Sequence, residues 1–352
     1  MSADADRSLG AQRSALARYL AERGVVRSAD ELEGVQRVGL GQSNLTFVLA
    51  LAEGRDVVLR RPPPGPLAPS AHDVLREYRV MRGLHGGPVP VPRPLLACED
   101  LTVIGAPFFV MERVAGDALR QDLPPDFTEG SAEARRGFGE EAIDALAALH
   151  TLDPGVVGLG DLGRPSGYLS RQLRRWREQL DFARTRSADD LDWVAAWLEE
   201  TLPAENEEGR LVHGDYKLDN LLFAPSPPAR LLAVVDWELA TLGDPLADLG
   251  WLLAFWREAA DPLPELRIIP RLTELPGFST RAELTARYAE RVGHRLPDLA
   301  FYIVFALWKM AVLLEGHWAR HVRGSAPEFD YAYLETGGPA FWARIRRTAE
   351  AG

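Results

Sequence analysis

The chain has 352 residues, 46% of them hydrophobic, which is more than a single core usually absorbs, so two lobes are expected. Its 40 basic and 51 acidic side chains leave a net charge of −11, which repels nucleic acid and anionic membranes and argues against both as partners. The one cysteine, Cys98, excludes an internal disulfide framework and reads, beside Leu96 and Ala97, as a small packed residue.

Residues 1–13 carry Asp4, Asp6 and Arg7 and no apolar run, which fits neither a signal peptide nor a transit sequence and leaves a cytoplasmic location expected. Leu9, Leu16 and Leu20 recur at helical spacing over 8–23, and Gly24 can end that helix. Three β-branched and apolar stretches, 36–38, 46–51 and 56–60, are punctuated by Gly39, Gly41 and Gly54 and predict successive antiparallel strands. The prolines of 62–66 then stop further pairing. Val74, Tyr78 and Met81 share one face of a helix predicted over 71–84, with Glu77 nearby. The segments 102–104 and 108–114 predict a hairpin joined through Gly105-Ala106-Pro107. Gly116-Asp117 marks a change of regime, so lobes 1–115 and 116–352 are expected.

The second lobe reads as mostly helical, over 134–150, 168–185, 189–202, 245–259, 281–293, 297–321 and 331–349, with Thr280 and Glu283 spaced for a capping box. Only 210–213, 221–223 and 230–235 look strand-like, which places a small hairpin among the helices. The apolar stretch 299–314 is interrupted by Lys309 and falls short of the roughly 20 residues that span a membrane, so it reads as a buried helix. There is no internal repeat.

The chemistry concentrates in His213-Gly214-Asp215-Tyr216-Lys217-Leu218-Asp219-Asn220 and Val235-Asp236-Trp237-Glu238. Transfer of a phosphoryl group to a hydroxyl needs a carboxylate facing that hydroxyl and oxygen ligands for magnesium. Asp215 with Asn220 five positions on has the spacing of base and metal ligand in a kinase catalytic loop. Asp236 ends the apolar run 231–235, where a buried strand would hold a second metal-binding carboxylate rigidly. Singly, His213-Gly214-Asp215 is a β-turn and Asp236 a strand-end cap; strand, loop, hairpin and strand in this order favour the catalytic alternative.

In the first lobe, the 38–44 segment puts Gly41, Ser43 and Asn44 between two predicted strands, where backbone N–H groups can approach phosphates, although two glycines there also make a plain turn. Arg60, on the third strand, stands where kinases place a phosphate-contacting lysine; Arg61 is a neighbouring candidate and Glu77 the ion-pair partner. Gly158 to Gly163 spells a dinucleotide fingerprint, but Pro165 and Gly167 occupy the place of its helix. Gly41-Gln42-Ser43 lacks the last glycine of a nucleophile elbow, and His213 lacks a second histidine at zinc spacing. Trp251, Trp256 and Trp308 lie on apolar helices and read as core.

These motifs resemble the aminoglycoside phosphotransferase-like superfamily, and more narrowly the phosphotransferases related to the kinase-like domain of acyl-CoA dehydrogenase fusion proteins. The resemblance is carried by Val58-Leu59-Arg60-Arg61-Pro62-Pro63-Pro64-Gly65, Arg76-Glu77-Tyr78, Val103-Ile104-Gly105, Phe109-Val110-Met111-Glu112, the 211–220 loop and 235–245, and it covers most of the chain. It implies an α+β, protein-kinase-like bilobal fold with a small antiparallel-sheet N-lobe and a helical C-lobe. ATP and Mg²⁺ are the implied cofactors, Asp215 the base, and Asn220 and Asp236 the metal ligands. Adenine would meet backbone groups of Met111, Glu112 and Val114, while Asp248 would brace the catalytic loop. A small-molecule hydroxyl is the implied acceptor, either of a hydroxyacyl-CoA or related metabolite or of an aminoglycoside. A catalytically silent nucleotide-binding module is the alternative of another class, since Arg60 replaces the kinase lysine.

Overall fold

Alternating apolar residues over 45–51 send Leu45, Phe47, Leu49 and Leu51 to one face, and that face organises the first part of the molecule. The structure, a computed structural model, describes residues 9–10, 12–38, 44–64, 73–128, 132–204, 209–262, 266, 269–325 and 330–351. The chain falls into two units, Met1–Gly116 with Leu232–Ala240, and Asp117–Leu231 with Thr241–Gly352. The segment 232–240 therefore groups with the N-terminal unit, where the sequence expectation had put it with the C-terminal stretch.

In the first unit, helix α1 (Arg13–Glu22) is followed by strands β1 (Leu32–Val38), β2 (Leu45–Leu51) and β3 (Val57–Arg61), helix α2 (Val74–Leu84), and strands β4 (Pro94–Cys98) and β5 (Phe108–Glu112). The sheet runs β1-β2-β3-β5-β4, and every neighbouring pair is antiparallel. Leu16 and Leu20 of α1 join Phe47, Leu49, Leu59, Phe108 and Val110 in one core. Asp73 caps α2, its Oδ1 accepting from Leu75 N at 3.1 Å and Arg76 N at 3.0 Å.

One expectation fails here. Residues 102–104 are not a strand but part of a one-turn helix, Leu101–Ile104, begun by Asp100, whose Oδ1 accepts from Thr102 N at 2.8 Å, and closed by Gly105 at φ +73°. The partners of β5 are β3 and the unforeseen β4, with Pro94 opposite Met111. The returning segment 232–240 joins this unit through Val234 N, which donates to Pro90 O at 2.8 Å, and through Asp236, whose Oδ1 accepts from Arg60 Nη2 at 3.0 Å; within the segment, the fully buried Trp237 donates from Nε1 to Val234 O at 2.9 Å.

The second unit contains α3 (Ala132–Thr151), α4 (Tyr168–Ala183), α5 (Asp189–Glu200), β6 (Arg210–Val212), β7 (Leu221–Phe223), β8 (Thr241–Gly243), α6 (Pro245–Phe255), α7 (Arg281–Val292), α8 (Ala300–Val322) and α9 (Leu334–Ala351). β6 pairs antiparallel with β8, and β7 with Asp117–Ala118. The predicted capping box is present: Thr280 Oγ1 accepts from Glu283 N while Glu283 Oε2 accepts from Thr280 N at 2.8 Å. Among the described residues, α8 is the one helix long and apolar enough to cross a membrane, yet most of it is buried among α4, α6 and α9. The backbones of α6 and α8 approach closely, because Gly250 presents no Cβ to Tyr302. Trp251, Trp256 and Trp308 are core residues, and Cys98 is buried and free.

Candidate active site

The loop between β6 and β7 is held from behind by a buried polar chain in the second unit. Asp248 of α6 accepts from His213 N at 2.5 Å and from Gly214 N at 2.8 Å. His150 of α3 stands behind it, Nε2 lying 3.5 Å from Asp248 Oδ2 and Nδ1 2.7 Å from Tyr288 OH. Burial alone would raise the Asp248 pKa; the hydrogen bond and charge of His150, the charge of His213 and the His213 N–H outweigh it and hold the carboxylate below its ordinary range.

Asp215 is aimed by this loop. Its N–H donates to His213 Nδ1 at 3.2 Å. Asn220 Nδ2 donates to Asp215 O at 2.9 Å and to Oδ2 at 3.0 Å, and Lys217 Nζ lies 3.2 Å from the same Oδ2. Oδ1 of Asp215 has no partner among the described residues, and the side chain is 21% exposed. With Nδ2 of Asn220 spent on Asp215, its Oδ1 is left as an acceptor.

In the first unit, Arg60 of β3 joins two carboxylates. Nη1 lies 2.8 Å from Glu77 Oε1 on α2, and Nη2 donates to Asp236 Oδ1 at 3.0 Å. Asn44 Nδ2 reaches Glu77 Oε2 at 3.5 Å. Burial pushes the Glu77 pKa up, with Asp236 and Glu238 adding to the push against the pull of Arg60; those same carboxylates keep Arg60 charged despite its burial. Asp236 adopts φ +68°, ψ +60°, a conformation costing about 1–3 kcal/mol in a non-glycine residue, which fixes the direction of its carboxylate as the chain leaves the Leu231–Val234 strand. Arg61 turns elsewhere, Nη1 donating to Ile104 O at 3.2 Å, so Arg60 is the arginine of this cluster.

Arg60 Nε and Asn44 Oδ1 are buried with no hydrogen-bond partner among the described residues. An orphaned buried donor on a guanidinium is costly unless an anion completes it. Gly41 and Ser43, expected beside them, lie outside the described residues. At the end of β5, Met111 is buried, Glu112 N donates to Arg93 O at 2.9 Å, and Gly116 N donates to Val114 O at 3.1 Å. The Glu112 carboxylate is exposed and faces Arg93 Nε at 3.7 Å, so its side chain belongs to the surface.

Beside the 213–220 loop, the second unit opens a cleft of about 100 Å³. Leu252, Phe255, Trp256, Leu272, Met310 and Leu314 line it, and its polar edge is made by Arg120, Lys217 and Asp219. Burial pushes the Asp219 carboxyl up, against the charges of Lys217 and Arg120.

A model of the phosphotransferase enzyme family matches residues 34–284, which include both carboxylate clusters. The chain belongs to this family. Acyl-CoA dehydrogenase family member 11 of Gallus gallus is 38% identical over 296 residues, 83% of this chain and 37% of the relative. This chain thus spans little more than a third of such relatives. Among solved structures, a putative aminoglycoside phosphotransferase from Ralstonia eutropha JMP134 is 34% identical, with a TM-score of 0.77 over 95% of this chain and 98% of that one. The GDP complex of aminoglycoside 2′-phosphotransferase-IIIa, 16% identical with a TM-score of 0.60 over 93% and 96%, shares the fold alone. The α+β, kinase-like fold expected of the sequence is the fold of this family.

Each unit, taken by itself, carries oxygen atoms of the kind that magnesium binds. Magnesium takes few protein ligands and keeps phosphate oxygens and waters, so one amide oxygen and one carboxylate are a sufficient protein share. Among the described residues, Asn220 Oδ1 in the second unit has no partner; in the first unit Asp236 spends one oxygen on Arg60, whose Nε has no partner. Sequence reasoning missed three contributors. His150 ends a helix and carries no motif spacing, Arg120 lies in a loop, and Lys309 was noticed only as a break in an apolar run, which was its signal.

Proposed function

We propose that the chain transfers the γ-phosphate of ATP to a hydroxyl group of a small molecule. The observation that carries this is the Asp215 carboxylate, aimed by His213, Asn220 and Lys217 with Oδ1 left open. The acceptor oxygen bonds to the γ-phosphorus, the bond from γ-phosphorus to the β,γ-bridging oxygen breaks, ADP leaves, and the hydroxyl proton goes to Asp215. Asn220 and Asp236 would hold magnesium, which supplies neutralisation of phosphate charge when bound. Arg60, kept charged by Glu77, contacts phosphate through its unpartnered Nε, with Gly41, Ser43 and Asn44 contributing to the same phosphate site. Met111, Glu112 and Val114 offer backbone groups to adenine.

Among acceptors, the hydroxyl of a hydroxyacyl-CoA or related metabolite is favoured over an aminoglycoside. The apolar cleft beside Lys217 and Asp219 supports it, as does similarity to proteins named acyl-CoA dehydrogenases. An alkyl chain gains from such a lining, while a polycationic sugar would meet two cations, Arg120 and Lys217, and one carboxylate, Asp219. The test is ADP formation from Mg·ATP with hydroxyacyl-CoAs, amino alcohols and aminoglycosides, the phosphorylated product being identified by mass. Acceptor-dependent ADP with a hydroxyacyl-CoA alone is the expected result. Turnover confined to an aminoglycoside would reverse the preference, and magnesium-dependent nucleotide binding without transfer to any acceptor would favour a silent module.

A further inference from the structure

Lys309 stands in the middle of α8, where an ammonium among apolar side chains loses its hydration and needs compensation. Two indoles and one carbonyl supply it. Nζ lies 4.2 Å from the ring centroid of Trp251 and 5.4 Å from that of Trp176, and it donates to Gly214 O at 2.9 Å, across 95 residues of sequence. Among the described residues no carboxylate pairs with it, so this cation is not a salt-bridge anchor.

The carbonyl it holds belongs to the peptide that carries Asp215. The other polar end of that peptide, Asp215 N–H, donates to His213 Nδ1, and the preceding N–H, of Gly214, donates to Asp248 Oδ1. The peptide unit is rigid, so pinning its oxygen and its nitrogen fixes ψ of Gly214 and φ of Asp215, the torsions that direct the Asp215 side chain. Gly214 sits at φ +84° without a Cβ to limit it, so this joint needs an external pin.

We propose that Lys309 is a positioning residue for phosphoryl transfer: its ammonium, caged by Trp251 and Trp176, locks the Gly214–Asp215 peptide and so aims the base at the acceptor. This rests on Asp215 being the base. The charged groups that act on Lys309 are Asp215 and Asp248, which favour its protonation, and Lys217 and Arg175, which oppose it; burial is the largest influence and pulls the pKa below that of an ordinary lysine. The clamp needs the protonated amine and is released as pH rises through that depressed value, which assigns Lys309 an alkaline limb in kcat.

The experiment uses the full chain with Lys309→Gln, Lys309→Met, Lys309→Arg and Asp215→Asn. ADP formation is followed with Mg·ATP and 3-hydroxyoctanoyl-CoA and, in parallel, for slow transfer to water. Losing the clamp should lower kcat about 10- to 100-fold in the Gln and Met variants with KM for ATP within about twofold. Arg should recover most of the rate and move the alkaline limb to higher pH. Hydrogen exchange at the Gly214 and Asp215 amides, which needs no acceptor, should quicken in the Gln variant. Should the Met variant fail to fold, Gln and Arg carry the comparison. Wild-type kcat and wild-type exchange in a folded Lys309→Gln protein, with Asp215→Asn inactive, would overturn the clamp alone. Unimpaired Asp215→Asn would instead overturn the base on which it rests.

Discussion

Each polar residue at these sites is partnered for a reason that a substitution can expose. Arg60→Met would leave Glu77 buried beside Asp236 without a cation, and removing one partner of a buried pair costs about 3–5 kcal/mol, read as a lower urea midpoint. Arg60→Lys keeps a charge but lacks the fork that spans both carboxylates, so a milder loss of stability and a raised KM for ATP are expected. Asp248→Ala strands the N–H groups of His213 and Gly214, each worth about 1–3 kcal/mol when buried without an acceptor. The Asp248 pKa is depressed, so its contribution is fully present above the ordinary aspartate value of about 3.9 and is lost as pH falls through the lower folded-state value. Acid denaturation of the wild type should therefore show a component below about pH 3.9 that Asp248→Asn lacks. Asp215 and Asn220 stand out in the sequence as a pair because five positions separate them, and the structure does bring them into contact, whereas Asp236, 21 positions beyond Asp215, stands out only as the polar end of an apolar run. Lys309 was not, because a lysine within an apolar run states that something must satisfy it without saying what.

At the level of elements, strands with alternating burial were readable, while those decided by tertiary pairing were not. The 45–51 alternation carries its own face, but β4 begins at Pro94 and is defined by its pairing with β5. Residues 102–104 have strand-forming side chains, yet Asp100 and Gly105 at either end close them into a helical turn; local capping overrode propensity. The membership of 232–240 in the first unit rests on contacts such as Val234 N to Pro90 O, which no local pattern announces. Helices α6 and α8 carry Asp248 and Lys309, and their crossing depends on Gly250. A Cβ there would meet Tyr302 Cβ at 2.6 Å and its backbone oxygen at 2.7 Å. Gly250→Ala should therefore destabilise the protein by about 1–3 kcal/mol in denaturant unfolding and reduce turnover, because both braces of the loop ride on this contact. Wild-type stability in that variant would show that the helices separate freely.

For the whole molecule, the family and the fold class follow from the chain, while the acceptor proposed above rests on the cleft in the second unit. Each methylene buried there is worth up to about 0.8 kcal/mol, or roughly fourfold, so kcat/KM should climb with hydroxyacyl chain length until the cleft is full. A flat series would remove the cleft from the acceptor site. The net charge of −11 does nothing to choose between acceptors, since Arg120 and Lys217 set a local balance opposite to the global one. The most direct measurement of the central claim is kcat for Asp215→Asn, with Mg·ATP affinity measured alongside by calorimetry. A base that accepts the acceptor's proton predicts a fall of about 10²- to 10⁴-fold in kcat with nucleotide affinity retained; turnover equal to wild type would contradict it.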